Sequence, residues 1–277
     1  MKAAVLGSPI AHSLSPALHR AAYRALGLSG WTYQAIECDE AGLPGLLAGC
    51  GPDWAGLSLT MPLKRAVLPL LDRIEPLAAE VGAANTVVLR GGQRHGHNTD
   101  VPGLIAALAE QRVTGATLAP GAAVLILGAG ATARSALAAA RALGVGEVTV
   151  AARGPARAGD LLAAADRLGV KVTLSDFGAP PGDSPDLLIS TVPAGAAEQY
   201  AQRIAGRALL PRCLLDTVYH PWPTPLAVAA RQAGAAVADG FDLLLHQAVG
   251  QVELMTGRSA PLEAMRVAGL AALQADG

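Results

Sequence analysis

Val124-Leu125-Ile126-Leu127-Gly128-Ala129-Gly130-Ala131-Thr132-Ala133 is a short apolar run that breaks into the pattern G-x-G-x-x-A. A continuous apolar strand suits a parallel sheet covered on both faces. The first glycine allows a tight turn, the second lets the backbone approach a pyrophosphate, and a small third residue packs helix against strand. The helix that follows presents its N-terminus to anionic oxygens. Gly128, Ala129, Gly130, Ala131 and Thr132 are therefore the expected phosphate contacts, although a plain tight α/β turn fits the same pattern. The next strand weighs between the two. Val148–Ala152 runs into Arg153, with Arg157 four residues on. NAD-binding units usually carry an Asp or Glu near this strand end for the ribose 2′-hydroxyl. No acid stands here, and two guanidinium groups on one helical face suit a 2′-phosphate, hence NADP. Two solvated arginines are the plainer alternative.

Outward from this stretch, strand and helix alternate almost throughout, which predicts α/β layers. Strands are expected at Ala3–Gly7, Trp31–Cys38, Trp54–Thr60, Val170–Leu174, Asp186–Val192, Leu214–Val218 and Ala235–Ala238. Ala84–Arg90 and His95–Thr99 flank Gly91-Gly92 as a hairpin. Helices are expected at Pro16–Leu26, from Met61-Pro62, at Leu104–Leu108, Leu161–Leu168 and Leu226–Gln232, and as a closing pair at Phe241–Thr256 and Pro261–Leu270. The 277 residues allow two modest domains, the second beginning near Val101.

Composition narrows the function classes. Hydrophobic residues make up 52% and charged residues 16%, which predicts a well-buried globular fold. A formal net charge of −1 gives no electrostatic footprint for nucleic acid or an anionic membrane. No stretch reaches the ~18 uninterrupted apolar residues of a membrane span. Cys38, Cys50 and Cys213 have no metal-like spacing, and a reducing cytoplasm is the expected compartment. No metal is expected, and His12, His95, His97 and His246 are read as structural or solvated.

The N-terminal half carries the candidate chemistry. In Gly7-Ser8-Pro9-Ile10-Ala11-His12-Ser13-Leu14-Ser15-Pro16, Ser13 and Ser15 are two apart. An extended backbone would point both hydroxyls the same way, toward one carboxylate beside a helix N-terminus; a helix cap is the commoner role for Ser15. Lys64 is one of only three lysines, with Lys2 and Lys171, against 18 arginines. An arginine cannot readily trade protons and a lysine can, so Lys64 is a candidate acid/base. Asp100, after the hairpin, is either its partner or the cap of the next helix, and spacing alone favours the cap.

Taken together, GSPIAHSLSPALH, SLTMPLK, GAANTVV, HNTDVPG, LGAGATAR, AARGPARA, LLDTVYHPWPTPL and GFDLLLHQAVGQVELMTG resemble the shikimate dehydrogenase family over essentially the whole chain. The resemblance implies two α/β domains around a cleft. Residues 1–100 with 241–277 would be the substrate-binding and catalytic domain, to which the C-terminal helices return. Residues 101–240 would be a Rossmann-like NADP-binding domain. It implies reversible NADPH-dependent reduction of 3-dehydroshikimate to shikimate, a step in chorismate and aromatic amino-acid biosynthesis. Ser13 and Ser15 would hold the substrate carboxylate; Thr60, Asn85, Asp100 and Gln247 would meet ring hydroxyls, with Tyr219 nearby. Lys64 would be the acid/base with Asp100 as partner, and Thr217 and Gly240 would lie near the nicotinamide. A homodimer is one assembly such a chain could form.

Several positions depart from the family pattern. The cofactor strand ends Ala152-Arg153-Gly154 where Asn-Arg-Thr is common, and Ala131 replaces a third glycine. Ser190-Thr191-Val192 stands for Asn-x-Thr, and Leu243 for a methionine. The competing readings are a quinate/shikimate dehydrogenase using NAD, a non-catalytic NADP-binding regulator, and a two-domain folate dehydrogenase. The first wants an acid at position 153, the second a lost acid/base residue, and the third lacks the paired serines.

Overall fold

The computed structural model describes residues 1–115, 117–154, 158–179 and 183–275. The chain divides into two compact units, one of Met1–Gly103 with Leu244–Gly277, the other of Leu104–Leu243.

The first unit has strands β1 (Lys2–Gly7), β2 (Thr32–Glu37), β3 (Trp54–Leu59), β4 (Arg73–Ile74), β5 (Thr86–Arg90) and β6 (Gln93–His97). Its helices are α1 (Ser15–Ala25), α2 (Leu43–Ala48), α3 (Leu63–Ala66) and α4 (Pro76–Val81), with the start of α5 (Asp100–Glu110). The sheet order is β2-β1-β3-β5-β6-β4. β1 runs parallel to β2 and β3, while β5 is antiparallel to both β3 and β6. Ser58 pairs with Thr86, and Thr86 with His97. The carboxyl ends of β1, β3 and β6 therefore share one sheet edge with the amino end of β5. The segments holding Ser13 and Ser15, Thr60 and Lys64, Asn85, and Asp100 all leave the sheet along that edge. Gly91 and Gly92 close the hairpin with φ of 60° and 76°, the pair of left-handed residues that a type I′ turn demands. Leu6, Leu43, Leu57, Leu63 and Val87 form the core below the edge. Leu63 is wholly buried, which anchors α3 and fixes where the neighbouring Lys64 begins.

The second unit is a six-stranded sheet of β7 (Val124–Leu127), β8 (Glu147–Ala152), β9 (Lys171–Asp176), β10 (Leu187–Ser190), β11 (Cys213–Asp216) and β12 (Ala236–Ala238). Its helices are α6 (Ala131–Ala142), α7 (Gly159–Leu168), α8 (Glu198–Ala205) and α9 (Pro225–Gln232). Every pairing is parallel, and the order is β12-β11-β10-β7-β8-β9. Counted from its own first strand this is the doubly wound order 3-2-1-4-5-6, with the direction of winding reversing between β7 and β10. Ala133, Ala136, Ala139 and Ala140 bury a small-residue face of α6, so the helix can lie close to the sheet. The closing helices are α10 (Gly240–Thr256) and α11 (Leu262–Ala275), and α11 packs on α1. Among the described residues no helix is long and apolar enough to cross a membrane.

Some expected elements shift. Helix α1 begins at Ser15, and Leu14 already has helical dihedrals (φ −78°, ψ −8°), so Ser13–Ser15 is not extended. Helix α5 begins at Asp100, four residues ahead of its expected start. Helices α4 and α8 lie in stretches to which the sequence reading assigns no element, each short but with buried anchors: Ala78 and Val81 in α4, Tyr200 and Ile204 in α8.

Candidate active site

Lys64 Nζ donates to Asp100 Oδ2 at 2.6 Å, with the two side chains only 15% and 6% exposed. The other two lysines are spent on surface pairs, Lys2 with Asp53 and Lys171 with Glu147. Asn85 Nδ2 donates to Asp100 Oδ1 at 2.9 Å, so both carboxylate oxygens are held. The cap reading of Asp100 is resolved by its neighbour: Asn98 Oδ1 accepts from the Val101 N–H at 3.1 Å, and its amide donates to the Ala83 carbonyl. Asp100 is thereby left for Lys64. A buried ion pair contributes little net stability, because desolvation offsets its attraction. What this one provides is a lysine side chain whose direction is set.

The two serines meet differently from expectation. The Ser15 N–H donates to Ser13 Oγ at 3.4 Å within a turn, and the Ser15 side chain makes no cap bond. Ser15 is buried and Ser13 half-buried. Thr60, half-buried, follows β3 directly, with its N–H on the Leu6 carbonyl. Gly7 is what lets it sit there: a Cβ at Gly7 would collide with the Thr60 methyl and lie 2.9 Å from the Met61 carbonyl. Gln247 is 7% exposed; its amide donates to the Leu244 carbonyl, and its Oε1 accepts from Asn85 at 3.3 Å. It reaches Asn85 because α10 lies almost against α5. A Cβ on Gly103 would stand 2.9 Å from the Gln247 nitrogen, and one on Gly250 3.2 Å from the Thr99 methyl.

In the second unit a cavity of about 420 Å³ opens at the carboxyl ends of β7, β8, β9 and β10. Gly128–Gly130, Arg153, Phe177 and Thr191 are among its lining residues. Gly128 holds φ 102°, where an L side chain is strained, and a Cβ there would press on Thr191 Oγ1 at 2.7 Å. That hydroxyl is committed to the Leu127 carbonyl. Gly130 faces open space, and α6 starts without a side-chain cap, so its first N–H groups point outward. Ala131 and Thr132 are half-buried in that first turn. Arg153 is exposed at the cavity wall, while Arg157 lies outside the described residues. Arg134, 4% exposed on α6, pairs with Asp160 at 3.4 Å. An open glycine turn, an uncapped helix start and a cation at the second strand end fit a phosphorylated dinucleotide.

Beyond β11 the chain is bracketed by Asp216, which accepts from Thr224 Oγ1 at 2.7 Å and from the Val218 N–H at 3.3 Å. It is 2% exposed, and burial pushes its carboxyl above the ordinary range. This bracket fixes Thr217, whose N–H is on the Ser190 carbonyl, and the half-buried Tyr219. Gly240, where α10 begins, touches the same turn: a Cβ would collide with the Thr217 carbonyl and stand 2.6 Å from the Val218 carbonyl carbon. All of these are backbone atoms that cannot swing aside. Gly240→Ala should therefore lower the midpoint of thermal unfolding, at a cost of about 1–3 kcal/mol from overpacking. An unchanged midpoint would mean that this turn yields freely.

Asn98, Thr99, Asp216 and Gln251 were not singled out from the sequence. Gln251 alone had a readable signal, lying four residues after Gln247 and hence on the same helix face. Among the described residues no three His, Cys, Asp or Glu side chains converge as a metal site.

The parallel sheet, its switch-point cavity and the glycine turn define a Rossmann-type dinucleotide-binding unit, joined in one chain to a second α/β unit with a buried Lys–Asp pair. Residues 5–87 match the shikimate dehydrogenase substrate binding domain, and residues 240–268 the shikimate 5′-dehydrogenase C-terminal domain. A relative from Citrifermentans bemidjiense named shikimate dehydrogenase (NADP(+)) is 39% identical, the match covering 99% of this chain and 96% of that one. The crystal structure of Mycobacterium tuberculosis shikimate dehydrogenase superposes with a TM-score of 0.85 at 45% identity, covering 98% and 99% of the two chains. That of Thermus thermophilus shikimate 5-dehydrogenase, in complex with NADP(H) and shikimate, gives 0.82 at 32% identity, covering 98% and 99%. The chain belongs to the shikimate dehydrogenase family.

Proposed function

We propose that this chain catalyses reversible hydride transfer between 3-dehydroshikimate and shikimate with NADP. The observation that carries the reading is the Lys64–Asp100 pair, set along the same sheet edge as Ser13, Ser15 and Thr60. Relatives named for this activity, and one solved in complex with NADP(H) and shikimate, support it. In this reading residues 1–100 with 241–277 bind the substrate, and residues 101–240 bind NADP.

The dinucleotide, when bound, would supply the hydride-transfer chemistry. Ser13 and Ser15 donate to the substrate carboxylate, while Thr60, Asn85 and Gln247 meet ring hydroxyls and orient the ring, with Tyr219 beside it. Toward shikimate, the carbonyl oxygen gains negative charge and needs a proton. Lys64 polarises that oxygen as an ammonium and donates the proton; in reverse it withdraws it. Asp100 favours the charged lysine and fixes its direction. Gly128–Thr132 and the α6 N-terminus would hold the pyrophosphate, and Thr217 and Gly240 would border the nicotinamide end. Arg153 would meet the 2′-phosphate.

A steady-state assay with shikimate and quinate, each with NADP⁺ and NAD⁺, tests the whole reading. Turnover should be highest with shikimate and NADP⁺; no turnover with that pair would refute it. Arg153→Ala should raise KM for NADP⁺ roughly 10–100-fold, because a hydrogen bond to a charged group is worth about 1.5–3 kcal/mol. KM for NAD⁺, which lacks the phosphate, should hardly move. Equal losses with both cofactors would remove Arg153 from phosphate recognition.

A further inference from the structure

Behind the Lys64–Asp100 pair, buried polar side chains run back through the first unit to α1. Gln251, 1% exposed on α10, uses its whole carboxamide. Its Nε2 donates to the Asn85 carbonyl at 3.2 Å and to Thr86 Oγ1 at 3.1 Å. Its Oε1 accepts from Ser58 Oγ at 2.8 Å and faces His19 Nε2 at 3.2 Å. Tyr33 donates to Ser58 at 2.6 Å and stacks on the His19 ring at 3.9 Å.

Two backbone groups set the polarity of this network. The Asn85 carbonyl can only accept, so the nitrogen of Gln251 must face it and the oxygen must face His19 and Ser58. His19 therefore carries its proton on Nε2. Among the described residues its Nδ1 has no hydrogen-bond partner, and burial lowers its pKa to about 3, so the ring is neutral. At the other end the Thr99 N–H can only donate, and it meets Asn85 Oδ1 at 2.8 Å. Thr86 Oγ1, holding a hydrogen from Gln251, turns its own to the same Oδ1 at 3.0 Å. With its oxygen pinned from two sides, Asn85 must direct Nδ2 toward Thr99 Oγ1 and Asp100 Oδ1, each at 2.9 Å.

We propose that Gln251 and Thr86 are positioning residues for the Lys64–Asp100 pair, fixing the Asn85 carboxamide and, through it, the Asp100 carboxylate. The inference rests on the reading of Lys64 and Asp100 as the proton-transfer pair. A role in packing alone makes the opposite forecast at Thr86, and that contrast is the test. Thr86 is wholly buried. Valine keeps its shape and loses the relay hydroxyl, whereas serine keeps the hydroxyl and leaves a cavity.

The experiment measures kcat and KM for shikimate with NADP⁺, together with thermal midpoints, on the full chain. Thr86→Val should lose about tenfold in kcat, the scale of one hydrogen bond, with KM for shikimate moving less than about threefold. Thr86→Ser should recover most of that loss although it is less stable. Gln251→Met, near in length and unable to hydrogen-bond, should repeat the kcat loss and serves if Thr86→Val does not fold. Folded Thr86→Val and Gln251→Met enzymes with unmodified kcat, or a Thr86→Ser enzyme as slow as Thr86→Val, overturn the proposal. Lys64→Ala run alongside separates the two levels. If it too keeps full kcat, the proton-transfer reading falls and takes this inference with it; if it alone is slow, only the positioning inference falls. Nitrogen NMR supplies a second readout: a proton on His19 Nδ1 at neutral pH would contradict the orientation assigned to Gln251.

Discussion

Lys64→Ala is expected to give a folded chain whose kcat for shikimate oxidation falls ~10²–10⁴-fold, the usual contribution of a positioned general acid/base. KM for shikimate should change far less, since Ser13, Ser15, Thr60 and Gln247 remain. The geometry gives the forecast its form. Asp100 holds the ammonium at 2.6 Å, and Asn85 holds the other carboxylate oxygen. Removing the lysine leaves a carboxylate that is 6% exposed without its cation, so circular dichroism must accompany the kinetics. Asp100→Asn should also be slow, and the double variant little slower than the worse single one, because the two act as a unit. Single-turnover hydride transfer across pH isolates the chemical step. A folded Lys64→Ala enzyme that transfers hydride at the unmodified rate would reduce Lys64 to an ordinary helix-start cation.

The second large effect belongs to the paired serines. Losing two hydrogen bonds to a carboxylate, each worth roughly 1.5–3 kcal/mol, should raise KM for shikimate about 10²-fold or more in Ser13→Ala/Ser15→Ala. KM for NADP⁺ should stay within about threefold, because that site is built from other residues. Ser13 and Ser15 are drawn together by the Ser15 N–H, the first of α1, on Ser13 Oγ, and the Ser15 hydroxyl makes no cap bond. Calorimetric binding of shikimate that is unaltered in the double variant would place the carboxylate elsewhere.

Much of this was legible before any coordinates. The alternation of apolar runs with Gly, Pro and Asx breaks specified α/β layers, and G-x-G-x-x-A after a buried strand located the switch-point turn. Lys64 stood out through scarcity, as one of three lysines against 18 arginines, and burial beside Asp100 sets it apart from the two lysines in surface pairs. What stayed hidden depended on distance in sequence. Spacing favoured Asp100 as a helix cap, and nothing local revealed that Asn98 would take that task. Ser13 and Ser15 do lie together, but not through the extended geometry expected, since period-two alternation holds only for extended chain and Leu14 is helical. The Gln251 network joins residues up to 232 positions apart, and a lone buried glutamine carries no local mark of its partners.

Gly103 has a bearing on redesign. A glycine inside a helix costs about 1 kcal/mol relative to alanine, so a routine search for stabilising changes would select α5 here at once. Yet the missing methyl is the space through which the backbone of Gln247 comes within reach of Asn85. At this position propensity and purpose conflict, and the helix keeps its weaker residue so that another element can lean on it. Consensus or propensity-guided engineering of this chain should treat the α5–α10 seam as part of the site, although neither Gly103 nor Gly250 has a side chain to offer a ligand.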